Sequence, residues 1–147
     1  MGDRLSVELH GELTEIRGLA ARVEEFGARH QMAEALIGHI NLALDELLTN
    51  TISYGFDDGR PHRIRVTLNL QDGDLAIEIA DDGKPFDPFA TADPDLTLPV
   101  ESRPIGGLGI FFVRKLMDQV DYRRVNGENR ILLIKKTKNA GDYSGFQ

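Results

Sequence analysis

The sequence predicts an α/β (α+β) two-layer sandwich, with a mixed, mostly antiparallel sheet and amphipathic helices on one of its faces. Three observations predict it. Apolar residues recur at spacings of three and four through roughly 12–29 and 31–54. They then alternate with a period of two through 64–79. Two-residue turn signals, Asp72-Gly73 and Asn126-Gly127, join strands as hairpins, and hairpin partners are antiparallel.

Each element has its own pattern. Leu5, Val7 and Leu9 alternate with polar residues, so 4–10 reads as a half-buried strand. The helix at about 12–29 carries Leu13, Ile16, Leu19, Ala20, Val23 and Phe26 on one stripe. A second helix, about 31–54, carries Leu36, Ile40, Ala43, Leu44, Leu47 and Leu48, and Gly55, Asp58-Gly59 and Pro61 end it. Ile64, Val66, Leu68 and Leu70 form one arm of a hairpin, and Leu75, Ile77 and Ile79 the other. The periodicity stops between Asp81 and Pro104, where five of the six prolines lie. A loop that long in a compact domain is usually a lid or a binding loop. A third helix starts near Gly107 or Leu108, and strands at about 120–125 and 130–137 close the domain. Residues 138–147 read as a frayed tail.

The 147 residues suit one domain, taken as 1–147. With 41% apolar and 28% charged residues the composition is that of a globular chain. No apolar run approaches the roughly 20 residues of a membrane span, and the first residues lack the apolar stretch of a secretory signal, so the expected location is the cytoplasm, with no membrane partner. Cysteine is absent, which excludes disulfide and thiolate chemistry. A net charge of −7 argues against direct nucleic-acid binding, which needs clustered Lys and Arg. His10, His30, His39 and His62 show no metal-ligand spacing.

Three segments carry chemistry. In Glu46-Leu47-Leu48-Thr49-Asn50, Glu46 and Asn50 stand four apart on one helix and share a face. A carboxylate and an amide oxygen one turn apart suit Mg²⁺, and the carboxylate can polarise a hydroxyl; a solvated helical pair is the plainer alternative. Asp81-Asp82-Gly83 follows a strand at once. Its carboxylate can accept from an exocyclic amine, and its glycine admits a flat ring; a common Asp-Gly turn is the alternative. Gly106-Gly107-Leu108-Gly109 opens a helix, where free N–H groups favour a phosphate; a lid hinge is the alternative. No Lys-Ser/Thr follows these glycines and no strand leads into them, so this is neither a Walker A loop nor a dinucleotide fingerprint.

The order and separation of the three are more specific than any one. Together they resemble the histidine-kinase-like ATPase superfamily (the Bergerat fold, GHKL group) over about 4–137, with Glu46–Asn50 as its N box, Asp81-Asp82-Gly83 and Gly107-Leu108-Gly109 as its two glycine boxes, and the variable ATP lid, about 84–106, between them. Within the superfamily the chain is most similar to the anti-sigma factor serine/threonine-protein kinases of bacterial partner-switching systems. Asp81-Asp82-Gly83-Lys84-Pro85-Phe86-Asp87-Pro88 resembles their first glycine box, Gly107 to Asp118 resembles their second box and its helix, and no histidine-bearing dimerisation helix precedes the domain.

The resemblance implies roles. Asn50 would bind Mg²⁺ and phosphate, and Glu46 would be the general base toward a substrate serine. Asp81 would hold the adenine amine, with Gly83 giving the ring access. Gly107, Leu108 and Gly109 would cradle phosphates, Arg103 in the lid would reach the γ-phosphate, and Thr49 would either add a phosphate contact or be a plain helix-face hydroxyl. This suits phosphoryl transfer, which is mostly positioning and charge stabilisation. Two positions depart from the family: Tyr54 stands where His is frequent, and Arg130 where many members place a small residue or Thr near the adenine.

The implied function is an ATP-binding anti-sigma regulator that phosphorylates a STAS-type antagonist protein and sequesters a sigma factor, with ATP and Mg²⁺ as cofactors. A nucleotide-gated binding module without kinase activity is one alternative. A stand-alone histidine-kinase catalytic domain is another. A homodimer is a further expectation, carried by family analogy alone.

Overall fold

Alternating apolar residues build the sheet, and the helices cover one side of it. The computed structural model describes residues 3–90 and 107–137. Strands β1 (Asp3–Leu9), β2 (Ile64–Gln71), β3 (Asp74–Asp81), β4 (Gln119–Val125) and β5 (Glu128–Lys136) form one sheet in the order β1-β2-β3-β5-β4. All four junctions are antiparallel, so the parallel component allowed by a mixed sheet does not occur among the described residues. Both short hairpins turn as their residues require. Asp72 and Gly73 have φ of 54° and 83°, and Asn126 and Gly127 have 51° and 79°, the left-handed pairs that match strand twist.

Helices α1 (Glu15–Arg29), α2 (Glu34–Asn50) and α3 (Gly107–Leu116) lie on one face. Alternate strand residues point at them: Ile64, Val66 and Leu68 of β2, Leu75, Ile77 and Ile79 of β3, and Ile131 and Leu133 of β5 are all buried. They meet Leu19, Val23 and Phe26 of α1, Ile40, Leu44, Leu47 and Leu48 of α2, and Ile110 and Val113 of α3 in one core. Each such side chain contributes roughly 1.5–3 kcal/mol by leaving water. Helix α2 packs against both α1 and α3, so the residues on its two flanks face different neighbours.

The second helix departs from expectation at both ends. It begins at Glu34, and after Asn50 the backbone continues as a five-residue π-helical turn, Thr51–Gly55. The wider turn changes the phase of the side chains, and π turns of this kind recur at functional sites. Here it follows directly on Asn50 and carries the chain to Gly55, whose carbonyl oxygen accepts from the Lys84 backbone N–H at 3.4 Å.

Candidate active site

The site is assembled from the α3-facing flank of α2, the start of α3, and the far ends of β3 and β5. Glu46 and Asn50 share one flank of α2, as their spacing requires, and the Asn50 Nδ2 donates to Glu46 Oε2 at 2.9 Å. Asn50 is buried and Glu46 half-buried. No described residue donates to the Asn50 Oδ1, which leaves an amide oxygen beside a carboxylate. This donor set fits Mg²⁺, which takes a few protein oxygens and fills its shell with water and phosphate. No group of three or more His, Cys, Asp or Glu side chains that could hold a metal ion occurs among the described residues.

Gly109 closes this end. A Cβ placed on it would overlap the Glu46 carboxyl group. Only a glycine lets the first turn of α3 come that close to Glu46. The N-terminus of α3, Gly107, Leu108 and Gly109, therefore stands next to the Glu46–Asn50 pair, with its N–H groups at the positive end of the helix.

Asp81 ends β3 at the other side of the site, and it is 2% exposed. Its Oδ1 accepts from the Gly83 N–H at 2.9 Å and from the Asn129 Nδ2 at 3.0 Å. No described residue donates to Oδ2. Burial pushes the carboxyl above the usual carboxylate range, and the two hydrogen bonds pull partly the other way. A buried carboxylate with one oxygen that takes no hydrogen bond from the described residues fits an exocyclic amine. Gly83 is needed for packing as well: a Cβ there would meet the Phe56 ring at 2.8 Å and the Gly55 carbonyl oxygen at 2.9 Å. The π turn thus links the two ends of the site. Asn50 and Gly55 are five residues apart, roughly 7 Å along a helix axis.

Thr49 is not brought to this group. Its hydroxyl bonds to the Asp45 Oδ1 at 3.4 Å, and it lines a groove of about 700 Å³ between α1 and α2, on the other flank of α2. Arg103, Gly106 and most of the lid, residues 91–106, lie outside the described residues, as does the tail 138–147. Tyr54 is exposed, with its ring 6.4 Å from that of Phe86. Arg130 does not flank the Asp81 carboxylate. It pairs in register with Ala80, so it lies on the uncovered face and bonds to Glu128. The residue opposite Asp81 is Asn129.

Sequence reasoning passed over three residues. Asn129 is 2% exposed and ties Asp81 to the first residues of the lid. Phe56 fills the space at Gly83 and stacks on His62, with ring centres 4.3 Å apart. The buried His62 joins two carboxylates, Nε2 to Asp58 at 2.7 Å and Nδ1 to Asp82 at 2.9 Å. The bond to Asp58, helped by that to Asp82, raises its pKa above the usual histidine value, and burial opposes the rise. The segment between α2 and β2 is thereby fastened to the Asp81-Asp82-Gly83 turn.

Comparison with known proteins gives the family and the fold. Residues 9–135 match the model of the histidine kinase-like ATPase domain. The serine/threonine-protein kinase BtrW of Bordetella bronchiseptica is 30% identical over 111 residues, 76% of this chain and 78% of the relative. The serine-protein kinase RsbW of Oceanobacillus iheyensis is 26% identical over 107 residues, 67% of this chain and 63% of the relative. The same fold occurs in the RsbU–RsbW domain structure of Rv1364c from Mycobacterium tuberculosis, with TM-score 0.65, 17% identity, and coverage of 91% of this chain and 32% of that one. It occurs again in the histidine kinase domain of a blue-light activated kinase from Erythrobacter litoralis, with TM-score 0.59, 14% identity, and coverage of 92% and 65%. The match spans most of the sequence: the chain belongs to the histidine kinase-like ATPase domain family, and ATP binding follows from that membership.

Proposed function

We propose that the chain is a protein serine kinase that binds Mg²⁺-ATP between the Glu46–Asn50 flank of α2 and the Asp81–Gly83 turn, and transfers the γ-phosphoryl group to a serine of a small partner protein. One observation carries the reading: a half-buried carboxylate, Glu46, is held against the start of α3 while the amide oxygen of Asn50 beside it takes no hydrogen bond from the described residues. A carboxylate there serves as general base toward a hydroxyl, and Asn50 holds the metal on the phosphates. Asp81 accepts from the adenine amine, the backbone N–H groups of Gly107, Leu108 and Gly109 hold the phosphates, and Arg103 of the lid approaches the γ-phosphate. Mg²⁺ supplies charge neutralisation between the phosphates when bound.

The names of the curated relatives, serine and serine/threonine-protein kinases, support a serine as acceptor. By the resemblance set out above, the acceptor is a STAS-type antagonist and the second partner a sigma factor, which would make the chain an anti-sigma factor. Incubation with labelled Mg²⁺-ATP and a candidate antagonist tests the reading. Phosphoserine should appear on the antagonist with the wild type and be lost with Glu46→Ala. Equal labelling by Glu46→Ala would refute the assignment of the base, and label on histidine would refute the acceptor.

A further inference from the structure

The side chain of Asn129 uses its whole hydrogen-bonding capacity. Nδ2 donates to Asp81 Oδ1 at 3.0 Å and to the Lys84 carbonyl at 2.8 Å. Oδ1 accepts from the Phe86 backbone N–H at 3.1 Å and from the Tyr122 hydroxyl at 2.5 Å. Two of these partners fix which way the amide points, because a backbone carbonyl can only accept and a backbone N–H can only donate. A flipped amide would break both. Asn129 is almost wholly buried, so each lost bond would leave an unsatisfied group away from water.

The four partners come from three places. Asp81 is the carboxylate at the end of β3, Lys84 and Phe86 are the first residues of the lid, and Tyr122 belongs to β4. The lid root has other ties. The Gly83 carbonyl accepts from Arg124 at 2.7 Å, and the Phe89 carbonyl accepts from Arg114. Among the described residues, though, Asn129 alone bonds both to the base carboxylate and to the lid backbone beyond Gly83.

We propose that Asn129 is a positioning residue that makes the base carboxylate and the lid root one unit, so that recognition of the base sets where the lid begins. The proposal rests on the ATP reading above. It carries a specificity consequence. Both N–H groups of the amide are occupied, so Asn129 offers no donor to a base. The polar atom left at this end is Asp81 Oδ2, an acceptor when ionised, which takes a 6-amino group and repels a 6-oxo group. Adenine is selected over guanine because the Asn129 donor holds Asp81 by Oδ1 and leaves Oδ2 toward the base.

Two variants separate the roles. Asn129→Ala removes every bond. Asn129→Thr keeps a short hydroxyl donor for Asp81 that does not extend to Lys84 and Phe86. Hydrogen exchange at the Phe86 amide is measured in the nucleotide-free protein, and ATP and GTP affinities by titration with Mg²⁺. For Asn129→Ala we expect Phe86 exchange at least about tenfold faster, ATP binding about tenfold weaker, and a narrower preference for ATP over GTP, each tenfold corresponding to about 1.4 kcal/mol. For Asn129→Thr the base preference should return while Phe86 stays unprotected. Val23→Ala, a core truncation in α1, serves as the control for lost stability and should leave the base preference alone. Unchanged Phe86 protection in Asn129→Ala would overturn the proposal. So would identical base preference in the Thr and Ala variants, or a Val23→Ala protein that loses preference to the same degree. Failure of the wild type to bind ATP would sink the nucleotide reading, whereas exchange at Phe86 would still decide whether Asn129 holds the lid root.

Discussion

Gly109 stands so close to Glu46 that a Cβ at residue 109 would occupy the space of the glutamate's carboxyl group. The obstructing atoms are the far end of a flexible side chain, so an alanine can be accommodated by turning Glu46 away. Gly109→Ala should therefore fold, with a change in melting temperature of a few degrees at most, yet displace the base. We expect phosphoryl transfer to fall by about 10²-fold, the lower part of the range for general-base loss. Full activity in Gly109→Ala would mean that the position of Glu46 does not matter to the chemistry.

Glu46 and Asn50 should separate catalysis from binding. On the proposed role, Glu46→Ala removes the group that would act on the acceptor hydroxyl, so ATP affinity should change less than threefold while transfer drops roughly 10²–10⁴-fold. Asn50→Ala would remove the proposed metal and phosphate contact, and ATP affinity should fall by about tenfold or more. Calorimetric titration beside a single-turnover transfer assay checks both. A variant pair with indistinguishable effects would dissolve the distinction.

His62 should make stability depend on pH. Both ring nitrogens face carboxylates, and only the imidazolium can donate to both. Its folded pKa is raised, with the bond to Asp58 the leading cause. The stabilisation is therefore complete below the ordinary histidine value of about 6.5 and is lost as pH rises through the higher folded value. The Asp58 pKa is lowered by the same bond, so its share is present above the ordinary carboxylate range and lost as pH falls through the lowered value. Melting curves from pH 6 to 9 should show the wild type losing more stability than His62→Gln. Parallel curves would show that the ring is not charged in the fold.

Gly83 is enclosed by the Phe56 ring and the Gly55 carbonyl. An added methyl can displace the ring but not the backbone of the π turn without moving Gly55. Gly83→Ala should destabilise by about 1–3 kcal/mol, the usual scale of overpacking. Phe56→Leu should recover only part of this, because the carbonyl contact remains. Denaturant unfolding of the two single variants and the double variant measures the coupling; complete recovery would place all the strain on the ring.

Local chemistry was legible in the sequence and long-range pairing was not. Asp72-Gly73 and Asn126-Gly127 announce their turns because few other residues accept positive φ at both positions. Gly107 opens α3 as its glycine cluster suggests. Glu46 and Asn50 meet because helical spacing fixes their relation whatever surrounds them. Asn129 went unnoticed because its partner Asp81 is 48 residues away, and only the β3–β5 register reveals the pair. The same register turns Arg130 to the other face, since a shift of one residue reverses direction in a strand. His62 had one readable partner, Asp58 four residues earlier, but its second, Asp82, lies across the chain. The change from α to π after Asn50 has no marker beyond the approaching Gly55.

The central claim is that Asp81 receives the nucleotide's base. Its buried carboxylate has one oxygen committed to Gly83 and Asn129, and the other takes no hydrogen bond from the described residues. Titration of the wild type and of Asp81→Asn with Mg²⁺-ATP at neutral pH tests this most directly, with hydrogen exchange across β3 and β5 to verify the fold. The account predicts saturable binding by the wild type and at least about a hundredfold loss in the folded variant, since a buried acceptor would be replaced by a mismatched amide. Binding by the folded Asp81→Asn protein within a few-fold of the wild type would contradict it.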